Sequence, residues 1–189
     1  MNGAALGPVI AVVGPSGVGK DSVMTGLVAA DPRLSLLKRV ITRAPEAGGE
    51  DYTPVTEAEF AARQEAGDFA LHWQAHGLFY GVPAAAVQAQ RAEGCGVLVN
   101  FSRSVLFDAQ EAFGNLIVLN VTASDEVLAA RLAGRGRESV DEQAKRLAQA
   151  TKPLPDGLTQ AHEIDNSAEL SAAITAALEV IFADQPESA

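Results

Sequence analysis

The residues best suited to chemistry come early in the chain. Gly14-Pro15-Ser16-Gly17-Val18-Gly19-Lys20 follows a short β-branched run, Val9 to Val13, and precedes a segment of helical composition, Lys20 to Ala30. Strand, glycine loop, helix is the setting in which such a loop binds phosphate. Glycines let backbone N–H groups converge on phosphate oxygens, the helix N-terminus adds partial positive charge, and Lys20 can bridge terminal phosphates. A glycine-rich turn with an incidental lysine would leave the flanking strand and helix unexplained. The position after the lysine is usually a Ser or Thr whose hydroxyl binds Mg²⁺; here it is Asp21, with Ser22 one step later. Asp21 either holds the metal, directly or through water, or is a first-turn Asp favoured by the helix dipole.

Basic residues cluster at Lys38, Arg39 and Arg43 and again at Arg131, Arg135 and Arg137, on a chain whose formal net charge is -10. That acidic balance argues against nucleic acid as a partner, because phosphate backbones demand a basic surface. Local basic groups on an acidic body suit small phosphorylated ligands, the alternative being solvated surface charge. Arg131 and Arg135 are four apart at a helix end and share a face, and Gly136 frees the chain before Arg137.

The remaining elements must position these groups. Thr56 and Glu59 form a capping box that opens a helix to Gly67. Pro83 suits a first helical position, with a stop near Gly94. Val97 to Phe101 and Leu116 to Val121 have the length and apolar character of buried parallel strands. Ser139 and Glu142 make another capping box before a helix ending ahead of Pro153. Asn166 or Ser167 caps a last helix to about Phe182, and the tail after Asp184 frays. Strands alternating with helices predict an α/β domain with a parallel sheet covered on both faces.

All 189 residues fit one such domain, and 48% hydrophobic with 20% charged residues is an ordinary globular composition. Cys95 is the single cysteine, which excludes an intramolecular disulfide and a cysteine-rich zinc site and fits a reducing cytoplasm. The N-terminal stretch lacks early basic residues and leads into the glycine loop instead of a cleavage site. No stretch approaches the roughly 20 apolar residues of a membrane span. The chain reads as soluble and cytoplasmic, with no membrane partner; oligomeric state stays open, a homodimer included.

Several blocks, in order, resemble guanylate kinases over nearly the whole length. They are Gly14 to Ser22, Thr42-Arg43-x-Pro45, Asp51-Tyr52, Gly67-Asp68-Phe69, His76-Gly77-x-x-Tyr80-Gly81 and Arg131-Leu132-x-x-Arg135-Gly136. The resemblance implies a P-loop NTPase fold of guanylate-kinase-like type. Its core would span about 6–33 and 83–184, an acceptor-binding insertion about 34–82, and a lid about 131–146. It implies ATP and Mg²⁺ as cofactors, with Gly14 to Ser22 on the nucleotide, Asp21 and Ser22 toward the metal, and Asn166 on the adenine side unless it only caps a helix. Arg39, Arg43, Tyr52 and Tyr80 become contacts to the acceptor. Lys20, Arg131, Arg135, Arg137 and Arg146 become the charges that act in transfer, unless Arg146 merely pairs with Glu142. His72, Trp73 and His76 crowd one region, where His76 beside Gly77 suits a turn and Trp73 a core.

Departures from that pattern carry the substrate expectation. Glu46 stands where guanylate kinases have a second arginine, Leu71 where they have the glutamate for the guanine edge, and Val82 where they have a Ser or Thr guanine contact. Each guanine donor left without a partner would cost about 1 to 3 kcal/mol. The narrower combination includes Gly48-Gly49-Glu50-Asp51, Trp73-x-Ala75-His76-Gly77-Leu78 and Asn100-x-Ser102-Arg103. It resembles the ribose 1,5-bisphosphate phosphokinase (PhnN) family, which uses ATP to make 5-phosphoribosyl 1-diphosphate in phosphonate degradation. A base-free, doubly phosphorylated sugar explains the lost guanine contacts. Arg103 would serve its second phosphate, or pair with a surface carboxylate. A nucleoside monophosphate kinase predicts a base-reading polar residue where Leu71 stands. A non-catalytic guanylate-kinase-like interaction module predicts a damaged phosphate loop and lid, whereas Gly14 to Lys20 and Arg131 to Arg137 are present.

Overall fold

The computed structural model describes residues 6–45, 50–133 and 153–183. Strand β1 (Val9–Val13) is fully buried along its length. Val9, Ala11 and Val13 feed one apolar cluster while Ile10 and Val12 feed another, so both faces of the strand are covered. That is why its sequence runs continuously apolar instead of alternating. Helix α1 (Lys20–Ala30) follows, and the chain leaves it at Asp31, extended as a residue before proline must be.

The main sheet has the order β2-β7-β1-β8-β9, all parallel, with β2 Leu34–Leu36, β7 Gly96–Asn100, β8 Leu116–Thr122 and β9 Ala161–Asp165. From β1 the chain goes to the edge strand β2, returns to β7 beside β1, and then crosses to the other side. The carboxyl end of β1 is therefore the switch point where a parallel sheet opens a ligand crevice. Helix α3 (Ala84–Ala92) and α4 (Leu106–Phe113) contribute to the cluster on one face. The other face takes α1, α5 (Asp125–Ala133) and α6 (Leu170–Phe182).

Between β2 and β7 the chain inserts a smaller sheet of order β4-β3-β6-β5, with β3 Val40–Ile41, β4 Thr53–Pro54, β5 Phe69–Ala75 and β6 Leu78–Pro83. Its hairpin turns at His76 and Gly77, both with positive φ (52° and 74°), so His76 shapes a turn. Trp73 of this sheet lies 5.6 Å from the Phe101 ring beyond β7, which welds the insertion to the main core. Helix α2 (Glu57–Glu65) opens with the expected Thr56–Glu59 capping box and stacks Phe60 on Phe69 at 4.7 Å.

Two expected helix starts shift. Pro83 is the N-cap of α3, one residue before the helix. The last helix starts at Leu170 behind Glu169, with no side-chain cap, so neither Asn166 nor Ser167 caps it. The amide of Asn166 is engaged elsewhere. The capping box at Ser139 and Glu142 lies outside the described residues.

Candidate active site

The glycine loop leaves β1 at Gly14, and Gly14, Gly17 and Gly19 all take positive φ. The requirement is steric at two of them: a Cβ on Gly14 would meet the Val121 carbonyl oxygen at 2.4 Å, and one on Gly19 would meet Asn166 Nδ2 at 2.6 Å. Lys20 folds back so that Nζ donates to the carbonyls of Gly14 at 2.9 Å and Pro15 at 3.1 Å. Burial is the main force pushing its pKa down to about 8; Arg39 and Arg103 add to the depression, while Asp21 and Glu50 oppose it. A partly desolvated cation inside a ring of backbone is poised to gain from an arriving polyanion. Asp21 and Ser22 sit exposed on the first turn of α1. Among the described residues no cluster of three or more His, Cys, Asp or Glu side chains could hold a metal by itself. A hard cation here would share the oxygens of Asp21 or Ser22 with those of a bound nucleotide, a donor set that fits Mg²⁺.

The back of the loop is tied to the far end of the sheet. Val18 takes part through its carbonyl: the oxygen accepts from Arg131 Nη1 at 3.0 Å and from Asn166 Nδ2 at 2.8 Å, and Arg131 Nη2 donates to the Asn166 carbonyl at 2.9 Å. Asn166 is 3% exposed. Arg131 thus braces the loop from behind, and Asn166 is a wall beside Gly19. Arg135, Arg137 and Arg146 lie outside the described residues, as does Glu46.

On the acceptor side the structure brings Arg43 and Tyr52 together, the guanidinium 5.4 Å from the ring centroid, with Tyr52 Oη donating to the Ala44 carbonyl at 2.5 Å. Tyr80 is mostly core, stacked on Trp73 at 5.4 Å and 6% exposed. Arg103 reaches inward, with Nη2 donating to Asn120 Oδ1 at 3.2 Å, and burial pushes its pKa down. It remains a cation at neutral pH.

Arg39 is not open to solvent as its cluster suggested. It is 6% exposed, lies over the rings of Tyr80 and Trp73, and forks onto Glu50, Nε to Oε1 at 2.7 Å and Nη2 to Oε2. Asn100 Nδ2 completes the cluster, donating to Glu50 Oε2 at 3.1 Å. Glu50 and Asn100 were not singled out from sequence as site residues. The available signals were the Gly-Gly-Glu-Asp block and the place of Asn100 at the carboxyl end of a predicted buried strand. A cleft of about 200 Å³ opens beside this cluster, lined by Asp21, Thr25, Leu37, Glu50, Asp51 and Asn100. Its rim carries the exposed Lys38–Asp51 ion pair at 2.6 Å.

The arrangement sets a glycine loop of phosphate-binding type beside a cleft lined by polar and charged groups, a layout suited to moving a phosphoryl group between two molecules. The guanylate kinase family model matches residues 7–169. Ribose 1,5-bisphosphate phosphokinase PhnN of Ruegeria sp. (strain TM1040) is 63% identical over 181 residues, 96% of this chain and 95% of its own length. This chain belongs to the PhnN family of guanylate-kinase-like proteins. The PhnN protein of Brucella melitensis biotype 2 is 44% identical over 172 residues, 89% of this chain and 88% of its own. The crystal structure of guanylate kinase from Anaplasma phagocytophilum has a TM-score of 0.69, covering 97% of this chain and 89% of that one at 20% identity, a likeness of fold alone.

Within the PhnN family frame, Leu71 and Val82 acquire a plain geometric meaning. They are cross-strand partners in the β5–β6 hairpin, and directly opposed residues share a face of the sheet. Val82 is fully buried and Leu71 packs against the same cluster. The positions at which the resemblance puts guanine contacts therefore turn two aliphatic side chains toward the core.

Proposed function

We propose that the chain transfers the γ-phosphoryl group of ATP to ribose 1,5-bisphosphate, giving 5-phosphoribosyl 1-diphosphate and ADP, in the cytoplasm and within phosphonate breakdown. One observation carries the substrate reading: an intact phosphate loop and an Arg43–Tyr52 pair coexist with the aliphatic Leu71–Val82 pair where a base would need polar partners. A guanine there would lose about 1 to 3 kcal/mol for each buried donor left without an acceptor.

In this reading the loop amides and Lys20 hold the nucleotide's phosphates, and Arg131 and Asn166 keep the loop in shape through Val18. Mg²⁺, held near Asp21 and Ser22, would supply charge neutralisation on the phosphates. Arg43 and Tyr52 grip one acceptor phosphate, a task suited to a planar guanidinium and a phenol donor. Arg103 faces the other. The attacking atom is an oxygen of the 1-phosphate: a new P–O bond forms to the γ-phosphorus while its bond to the β–γ bridging oxygen breaks and ADP leaves with that electron pair. A phosphate oxygen at neutral pH is already deprotonated, so no general base is required. Positioning and charge stabilisation are the protein's main tasks, and Arg135, Arg137 and Arg146 are assigned to the second.

The test is ADP release with ATP and Mg²⁺ against ribose 1,5-bisphosphate, GMP, AMP and UMP. Ribose 1,5-bisphosphate should give the highest kcat/KM. A higher value with GMP would overturn the substrate reading in favour of a nucleoside monophosphate kinase.

A further inference from the structure

The cluster of Arg39, Glu50 and Asn100 has a chemical polarity of its own. Glu50 is 13% exposed at its side chain and Arg39 7%, so the two form a nearly buried ion pair whose charges cancel. Arg39 therefore offers little net attraction to a phosphate. An ionised carboxylate only accepts hydrogen bonds, and its two oxygens have about four acceptor positions. Arg39 Nε, Arg39 Nη2 and Asn100 Nδ2 fill three of them. The position left over belongs to a group that lines the cleft, and Asn100 lines it as well. Asn100 brings an amide oxygen and a second N–H, so the cleft wall presents one obligate acceptor beside a group that both donates and accepts.

An acceptor phosphate has no proton to give this wall and is repelled by the carboxylate. A vicinal diol matches it: one hydroxyl donates to Glu50 while its neighbour exchanges hydrogen bonds with the Asn100 amide. We propose that Glu50 and Asn100 recognise the 2,3-diol of the acceptor's ribose, with Arg39 as a positioning residue that fixes the Glu50 carboxylate. The site thus reads its substrate through sugar hydroxyls in place of base edges. Leu36 and Leu37, also in the cleft wall, supply apolar surface for the C–H edge of the ring. This inference rests on the ribose bisphosphate reading above.

The deciding experiment uses the unaltered protein with ribose 1,5-bisphosphate and its 2-deoxy and 3-deoxy analogues, all with ATP and Mg²⁺. A site built to bond a hydroxyl discriminates strongly against an analogue lacking it, so kcat/KM should fall about 10-fold to 100-fold for at least one analogue. A loss of more than threefold from either analogue supports the diol site. Both analogues within threefold of the parent sugar overturn it while leaving the ribose bisphosphate reading intact. No turnover of ribose 1,5-bisphosphate itself would sink that parent reading first. Glu50→Gln and Asn100→Ala should each shrink the discrimination toward unity, mainly through KM, in protein whose thermal unfolding shows it folded. Discrimination that persists undiminished in both folded variants would reassign the hydroxyl contact to other residues.

Discussion

Arg131 and Asn166 meet on a single atom, the carbonyl oxygen of Val18, at 3.0 and 2.8 Å. The two residues come from α5 and from the loop after β9, so a long-range clamp holds the middle of the phosphate loop. Asn166→Ala should cost about 1 kcal/mol of stability and Arg131→Ala about 2 kcal/mol, since the arginine makes two charge-assisted bonds. Because they share an acceptor, the double variant should be less damaged than the sum of the singles, a coupling readable in urea unfolding. Both should raise the KM for ATP more than they lower stability at 25 °C would explain, and an unchanged KM in either would detach the clamp from nucleotide binding.

Lys20 gives a signed pH dependence. Its folded pKa, about 8, lies below the ordinary 10.5, so between those values the unfolded chain binds the proton more often and this group's contribution to stability rises with pH. Lys20→Met lacks that slope. Its stability relative to the parent should fall between pH 7 and pH 10 by on the order of 1 to 3 kcal/mol, measured by denaturant unfolding of ligand-free protein.

The same group reports ligand arrival. At pH 8 the free lysine is about half protonated, and bound phosphate favours its charged form. Calorimetry of ATP binding in buffers of different ionisation enthalpy should show uptake of roughly half a proton, absent in Lys20→Met. Release of protons, or equal uptake by the variant, would contradict the placement of Lys20 on the phosphates.

Gly19→Ala combines two penalties. The residue holds φ at 95°, and its new methyl would lie 2.6 Å from Asn166 Nδ2. The left-handed backbone alone costs an L-residue about 1 to 2 kcal/mol. The variant should lose ATP affinity by at least about tenfold, with relief in the Gly19→Ala/Asn166→Gly double variant if the clash is the cause.

The buried Arg39–Glu50 pair should behave asymmetrically. Removing Arg39 alone strands a carboxylate and should cost about 3 to 5 kcal/mol. Arg39→Met combined with Glu50→Gln should recover much of that loss in urea unfolding, because the stranded charge is gone.

Much of this was legible in the chain. β1 and α1 occupy the residues their composition indicated, because a fully buried strand and a helix closed by Asp31-Pro32 are local signals. The Thr56–Glu59 box is equally local. The β5–β6 hairpin lacks a local signature because its residues are partly apolar on both faces, one on the core and one near Phe60, and its turn is His-Gly instead of Asn-Gly. β9 carries little strand signal: in Ala-His-Glu-Ile-Asp, Ile164 alone is buried, so this edge strand has the composition of polar chain. The roles of Asn166 and Glu50 could not be found locally either. Asn166 bonds a residue 148 positions away, and the Glu50 partners Arg39 and Asn100 lie 11 and 50 positions away.

The inserted sheet divides labour between two regions of chain. In the proposed reading the acceptor groups other than Asn100 and Arg103 sit on residues 39–52 and the nucleotide groups on the loop after β1 and its clamp, so substrate preference could be rewritten without disturbing the nucleotide half. The Trp73–Phe101 contact limits that freedom. A transplanted acceptor module from a related kinase must bring a ring-sized plug for Phe101, or the exchange trades a new substrate for a hole at the seam.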